Sequence, residues 1–246
     1  MKVTTPERVL VIAAHPDDIE FGAAGTLAHW ADEGAQITYC MVTDGAAGSN
    51  EPDADLVALV RQRQEEQLEA AKVLGVQDVR FLGYADGTLE ATIGLRRDLT
   101  RIIRELKPDR VMIQDPTMVY AGNFYINHPD HRAAGEAALY AVFPSAGTRP
   151  IFPELLAEGY EPHDVSQLWI MMSEQVDAII DITAYMERKL KSLLCHQSQK
   201  LDEAVANMVK GWDKETGKPH GLMYAETFRV MVMKQEAPPE AGENAG

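Results

Sequence analysis

Two short clusters, more than a hundred positions apart, carry side chains suited to metal-assisted chemistry. The first is His15-Pro16-Asp17-Asp18 and the second is His128-Pro129-Asp130-His131. Imidazole nitrogen and carboxylate oxygen suit a divalent ion such as Zn2+, and three protein ligands with one open position is the catalytic arrangement. Neither cluster has a cysteine nearby, which excludes a closed, cysteine-type structural zinc site there. An ion held this way could generate a hydroxide and polarise a carbonyl. Such a reaction also needs a carboxylate to take the water's proton and a donor to steady an oxyanion. Asp17 and Asp18 are consecutive, so their side chains diverge in most backbone conformations, and one ligand with one base is the natural split. The spacing does not say which is which. The simpler reading of this pair is a helix cap, a common use of Asp.

The elements around the clusters can place both at one rim. Val9 to Ala14 is an apolar run, too short for a helix and rich in β-branched residues, as a strand covered on both faces requires. It breaks at once into the first cluster, and in open α/β sheets chemistry sits just past the carboxyl ends of strands. A helix follows over Ala24 to Ala31, with Gly34 as its stop. The pattern continues with a strand over Ala35 to Val42, a Gly- and acid-rich loop, a long helix from Leu56 to Leu74 and a strand over Val79 to Leu82. Leu99, Ile102, Ile103 and Leu106 form the inner face of a helix running to Leu106, and Arg110 to Gln114 is a fourth strand. Such alternation predicts an α/β, Rossmann-like fold: a mostly parallel sheet flanked by helices on both faces, in a single domain.

The second cluster follows the fourth strand. Pro129 suits a first helical position, and His128 and His131, three apart, can face one point at that helix's start. From Phe143 to Val165 the chain reads as a long irregular surface excursion near the site, fit to serve as an interface or a lid. Strands are expected at Leu168 to Met172, Val176 to Ile182 and Ala225 to Met233, with one long helix from Ala184 to Val209. The domain is expected over residues 1–234, and residues 235–246, rich in Pro, Glu, Ala and Gly, as a disordered tail.

Composition narrows the function. The chain has 246 residues and a formal charge of −15, the wrong sign for gripping phosphates or anionic membrane surfaces. Nucleic acid and membrane are therefore not expected as partners. Cys40 and Cys195 provide no disulfide framework, and each sits in an apolar neighbourhood. The sequence shows no charged-then-apolar leader and no apolar run of the ~20 residues that a bilayer needs, so a cytoplasmic location is expected.

Taken together, the two His/Asp motifs resemble the LmbE-like, or PIG-L, family of zinc-dependent N-acetylglucosaminyl deacetylases. Weaker marks run along most of the chain: Thr43-Asp44-Gly45, Arg63 with Glu66, Asp86-Gly87, Asp181-Ile182-Thr183, Lys189, His196-Gln197-Ser198-Gln199 and Ala225-Glu226-Thr227-Phe228-Arg229. The resemblance implies that His15, Asp18 and His131 hold the zinc, with Asp17 as general base. It gives His128 the oxyanion and the departing amine, and gives Asp130 the task of holding His128 in its charged form. Arg63 and Asp86 match positions that hold sugar hydroxyls or the neighbouring group. The implied substrate is a small acetylated amino sugar or its conjugate, and a homo-oligomer is a further expectation, since relatives often assemble. His and carboxylate ligands tolerate several divalent metals, so Fe2+ is an alternative occupant.

The sequence also departs from the family. Ala46 and Ala47 stand where relatives often carry a glutamate, and Ile126 stands where some carry a tyrosine. Both differences fall where a substrate would lie. An amidase for a larger thiol-sugar conjugate and a non-catalytic metal or small-ligand binder are the rival readings. A dinucleotide site is disfavoured, because no G-x-G-x-x-G follows the first strand and Asp17 and Asp18 would repel a pyrophosphate. His29, His163 and His220 lack partners at ligand spacing and read as structural or solvent-facing. His196 reads equally as packing under the site or as a substrate contact.

Overall fold

The computed structural model describes residues 3–233; the tail expected at 235–246 lies outside the described residues. In chain order the elements are β1 (Arg8–Ala13), α1 (Asp18–Gly22), α2 (Ala24–Asp32), β2 (Gln36–Thr43), α3 (Leu56–Leu74), β3 (Asp78–Tyr84), α4 (Ile93–Leu106) and β4 (Arg110–Gln114). There follow β5 (Tyr120–Ala121), β6 (Tyr125–Ile126), α5 (Pro129–Tyr140), α6 (Pro153–Ala157), β7 (Gln167–Met171), β8 (Ala178–Asp181), α7 (Met186–Leu193), α8 (Glu203–Gly217) and β9 (Ala225–Val232).

Strand β1 is apolar at every position after its first because both of its faces are covered. Val9, Val11 and Ala13 pack with Leu27, Trp30 and Leu74 on one side of the sheet, under α2 and α3. Leu10, Ile12 and Ala14 pack with Leu99, Ile103 and Ala138 on the other side, under α4 and α5. Fully burying such a Leu or Ile side chain contributes about 1.5–3 kcal/mol, so the two faces together fix the strand's place and register. The sheet order is β3-β2-β1-β4-β7-β9-β8. Strands β1, β2, β3, β4 and β7 are parallel, while β9 runs antiparallel to both of its neighbours, β7 and β8. This is the mostly parallel, helix-flanked sheet expected from the alternation, and β1 and β4 are direct neighbours.

The structure corrects the sequence reading in two places. The long helix expected over Ala184 to Val209 is two helices, α7 and α8. Between them Lys200 takes a left-handed φ of 56°, Ser198 donates from its N–H and hydroxyl to the Glu66 carboxylate, and Asp202 caps α8 by accepting from Ala204 and Val205. A partner 132 positions away thus breaks a run whose local propensity favours continuation.

The excursion from Phe143 to Val165 is not beside the site. Arg104, near the end of α4, donates to the carbonyls of Ser145, Ala146, Thr148 and Ile151, and His163 Nε2 lies 2.8 Å from the Pro108 carbonyl oxygen. These anchors stand at the amino ends of the strands, opposite the rim that carries the two clusters, so the segment is no lid.

Candidate metal centre

Both clusters leave adjacent parallel strands at the same rim. At the end of β1 the Ala14 N–H donates to Gln114 Oε1 on β4, 2.8 Å away, and the Ala14 carbonyl accepts from Thr43 Oγ1. The chain then turns sharply, with the Asp18 carboxylate accepting from the His15 N–H at 2.7 Å. Asp17 sits in this turn at φ 101°, a left-handed conformation that costs a non-glycine residue of order 1–3 kcal/mol and persists only where its surroundings dictate it. Gln67 on α3 accepts from the Asp17 N–H at 2.9 Å, and Arg63 donates to the Pro16 carbonyl at 2.7 Å and to Asp17 Oδ2 at 3.3 Å.

The second cluster starts α5. His128 is its N-cap, with Nδ1 accepting from the Asp130 N–H at 3.2 Å, and Pro129 occupies the first turn. The rings of His15 and His131 lie 5.2 Å apart between centroids, and those of His15 and His128 4.7 Å. His15, Asp18 and His131 offer ligand atoms within 4.8 Å of one another. Asp18 Oδ1 is 2.9 Å from His131 Nε2, and Asp18 Oδ2 is 3.4 Å from His15 Nδ1. His131 Nδ1 lies 2.9 Å from Asn127 Oδ1, a contact in which Nδ1 donates and which orients the ring with Nε2 toward Asp18. Asn127 is itself held through Nδ2 to the Met118 carbonyl at 2.8 Å.

The other side of His15 faces carboxylates. Its Nε2 is 3.0 Å from Asp86 Oδ1 and 3.4 Å from Asp130 Oδ2. The Asp130 oxygens accept from the N–H groups of Gly87, at 2.7 Å, and Leu89, at 3.1 Å. They stand 3.9 Å from His128 Nδ1, beyond hydrogen-bond reach. In this geometry Asp130 ties the Gly87 loop to His15, and His128 Nδ1 carries no proton. Arg63 is 3% exposed; its Nη1 donates to the Gly45 carbonyl and lies 3.8 Å from Asp86.

Electrostatics follow from this crowding. Burial disfavours charge on His15, yet Asp18 and Asp86 outweigh it and push its pKa up to about 11. Burial also opposes ionisation of Asp18, but His131 and His15 hold its carboxyl well below the usual range. Asp17 goes the other way: burial and the Asp18 charge push it up to about 7 against the pull of Arg63 and His196. His128 is lowered by burial and by the nearby positive His15. Four carboxylates, Asp17, Asp18, Asp86 and Asp130, converge here around the His15 ring and the Arg63 guanidinium. A divalent cation bound by His15, Asp18 and His131 would offset their charge, so the donor set fits a metal.

Several participants were not visible in the sequence. Gln67 Nε2 donates to Glu20 Oε1 at 3.2 Å, and Glu20 Oε2 lies 3.3 Å from His196 Nε2, all three side chains being buried. His196 therefore packs beneath Asp17. Gln67 and Glu20 carry no motif signal, whereas Asn127 could have been found as the amide four residues before His131.

Two imidazoles and a carboxylate around one point, His15, His131 and Asp18, could hold a metal ion, a donor set of the kind found in centres that activate water. A family model described as PIG-L, GlcNAc-PI de-N-acetylase, matches residues 10–142, and the chain belongs to this family. It is 31% identical over 229 residues to a diacetylchitobiose deacetylase of Thermococcus kodakarensis, covering 92% of this chain and 83% of the relative. A probable N-acetyl-alpha-D-glucosaminyl L-malate deacetylase 2 of Bacillus anthracis is 32% identical over 197 residues, covering 78% and 80%. Among solved structures, the N,N'-diacetylchitobiose deacetylase of Pyrococcus horikoshii superposes with a TM-score of 0.86 at 32% identity, covering 92% of this chain and 84% of the other.

Proposed function

We propose that the protein is a zinc-dependent deacetylase that hydrolyses the acetamido group of an N-acetylated amino sugar or its conjugate. The observation that carries this reading is the convergence of His15, Asp18 and His131 on one point with Asp17 beside it. The named activities of the relatives above support the substrate class, and the donor set of nitrogen and oxygen suits zinc or Fe2+. A cation held there supplies an activated water and an electrophile for the acetyl carbonyl.

The chain's own groups do the rest. Asp17, held in its strained turn by Gln67 and Arg63, takes a proton from the attacking water; its raised pKa suits a base working near neutrality. His128 faces the same point and steadies the oxyanion; its protonated form, with Nδ1 turned to the Asp130 carboxylate 3.9 Å away, would give the amine its proton as the C–N bond breaks, leaving acetate and the free amino sugar. Asp130 fixes the Gly87 loop and His15. We keep Arg63 and Asp86 as the sugar-side residues, with the added task of holding Asp17 and His15. No helix among the described residues is long and apolar enough to cross a membrane.

The test is metal analysis of the purified chain, followed by acetate release from N-acetylglucosamine and its conjugates with zinc or Fe2+ restored. One bound metal per chain with stoichiometric acetate and amine supports the reading. Metal binding without hydrolysis of any acetylated amino sugar overturns it.

A further inference from the structure

A cleft of about 720 Å3 opens from the metal ligands, with Asp18 and His131 at one end of its lining. That volume lies in the ~300–1,000 Å3 range that holds drug-sized ligands, more than a single acetylated pyranose needs. We propose that this cleft binds an uncharged apolar group, aryl or alkyl, attached to the amino sugar; this rests on the reading above that the sugar sits at the metal ligands.

Three observations point to that chemistry. Helix α8 presents Met208, Trp212 and Thr216 to the cleft, a four-residue spacing that puts them on one helix face. The same cleft is lined by Phe124 from the β5–β6 hairpin and Met172 from the end of β7. Four large apolar side chains around one opening remain in water: Trp212 is 53% exposed, Met208 44%, Met172 40% and Phe124 91%. A contiguous apolar patch of this kind marks a binding site more often than a plain surface.

Two of the carboxylates that line the cleft, Asp213 and Glu226, are already engaged. Lys189 Nζ lies 2.7 Å from Asp213 Oδ2 and 2.9 Å from Glu226 Oε1, and Glu226 also accepts from the N–H groups of Gly25 and Thr26. They are poor partners for the hydroxyls of a second sugar. Glu174 on the lining and the chain's formal charge of −15 disfavour an anionic group. An apolar group seated against Trp212 and Met208 leaves water, and these side chains suit it by shape and polarisability.

The experiment measures equilibrium binding of glucosamine, chitobiose, and phenyl and hexyl glucosaminides to the zinc-loaded full chain, by calorimetry. Acetate release from the corresponding N-acetyl compounds is followed in parallel. The expected result is binding at least tenfold tighter for the phenyl and hexyl compounds than for glucosamine. Trp212→Ser combined with Met208→Ser should cut that advantage below threefold, and Trp212→Phe should keep most of it. Chitobiose binding as tightly as the phenyl and hexyl compounds would overturn the proposal, as would an advantage untouched by the double substitution. A change in solution mass on substitution would also overturn it, by giving this face to a second copy of the chain. Absence of acetate release from every compound would instead sink the proposed activity, while the binding ratios still decide the cleft's chemistry.

Discussion

The molecule holds two buried charged clusters, and they are built on opposite plans. Around Lys189 the charges close on themselves: one ammonium, fully buried, lies within hydrogen-bond distance of two carboxylates, and its pKa rises because Glu226 and Asp213 outweigh the cost of burial. Glu226 spends its remaining capacity on the first N–H groups of α2, where a negative charge also meets the helix dipole. Around His15 the charges do not close. Two carboxylates share one ammonium at Lys189, where burial pushes Asp213 up to about 6, but here Asp17 is held in a left-handed turn, and Asp17 and Asp18 are pushed to opposite ends of the carboxyl range. A cluster that satisfies itself supports the fold, and one left in tension is available for chemistry. The contrast sets a structural lysine apart from the aspartate proposed as base without reference to motif.

The largest effect should come from emptying the second cluster. Asp18→Ala should lower kcat/KM by ~10^4-fold through loss of the metal. In metal-free protein Asp17→Asn should melt no lower than the parent, because burial and the Asp18 charge disfavour the Asp17 carboxylate; a large drop in that melting temperature would erase the distinction between the two clusters. Lys189→Met should do the reverse, costing about 3–5 kcal/mol of stability by leaving two buried carboxylates uncompensated. Metal bound per folded chain should stay unchanged. Denaturant unfolding with metal analysis reads both.

Asp17→Asn should retain the metal and lose ~10^2–10^4-fold in kcat; full turnover would remove Asp17 from the base role. Asn127→Leu, which frees the His131 ring, should weaken metal affinity by ~10–100-fold, measurable by competition with a chelator. The smallest effect is one of pH. A base works only when ionised, so kcat/KM should fall as pH drops through the Asp17 pKa, which burial and Asp18 raise to about 7. A bound cation favours the carboxylate, so the acid limb should lie at or below that pH. It should vanish in the residual activity of Asp17→Asn.

Much of this was legible in the sequence, for physical reasons. The apolar runs of β1 and β4 are continuous because both faces of each strand are buried, and the first cluster sits where the β1 run stops. The second follows β4 only after the β5–β6 hairpin, and the pairing of β1 with β4 brings His15 and His131 together. What stayed hidden depends on contacts between distant residues. The break between α7 and α8 is imposed by Glu66 on Ser198, and nothing local announces it. The excursion from Phe143 to Val165 lies at the far end of the sheet because Arg104 holds its carbonyls there, a partnership that composition cannot reveal. The support of Asp17 by Gln67, Glu20 and His196 joins three separate elements by hydrogen bonds and charge rather than by pattern.

The last strand among the described residues, β9, is inserted between β7 and β8 rather than added at an edge. Shortening the polypeptide to end before Ala225 would therefore open a gap in the middle of the sheet and strip α2 of the carboxylate at its head. Such a clipped form should fail as a whole instead of losing a peripheral piece. Helix α1, which begins with Asp18, packs against α7 beside Lys189, so the catalytic rim would loosen even though every residue proposed to act there lies in the first 131 positions.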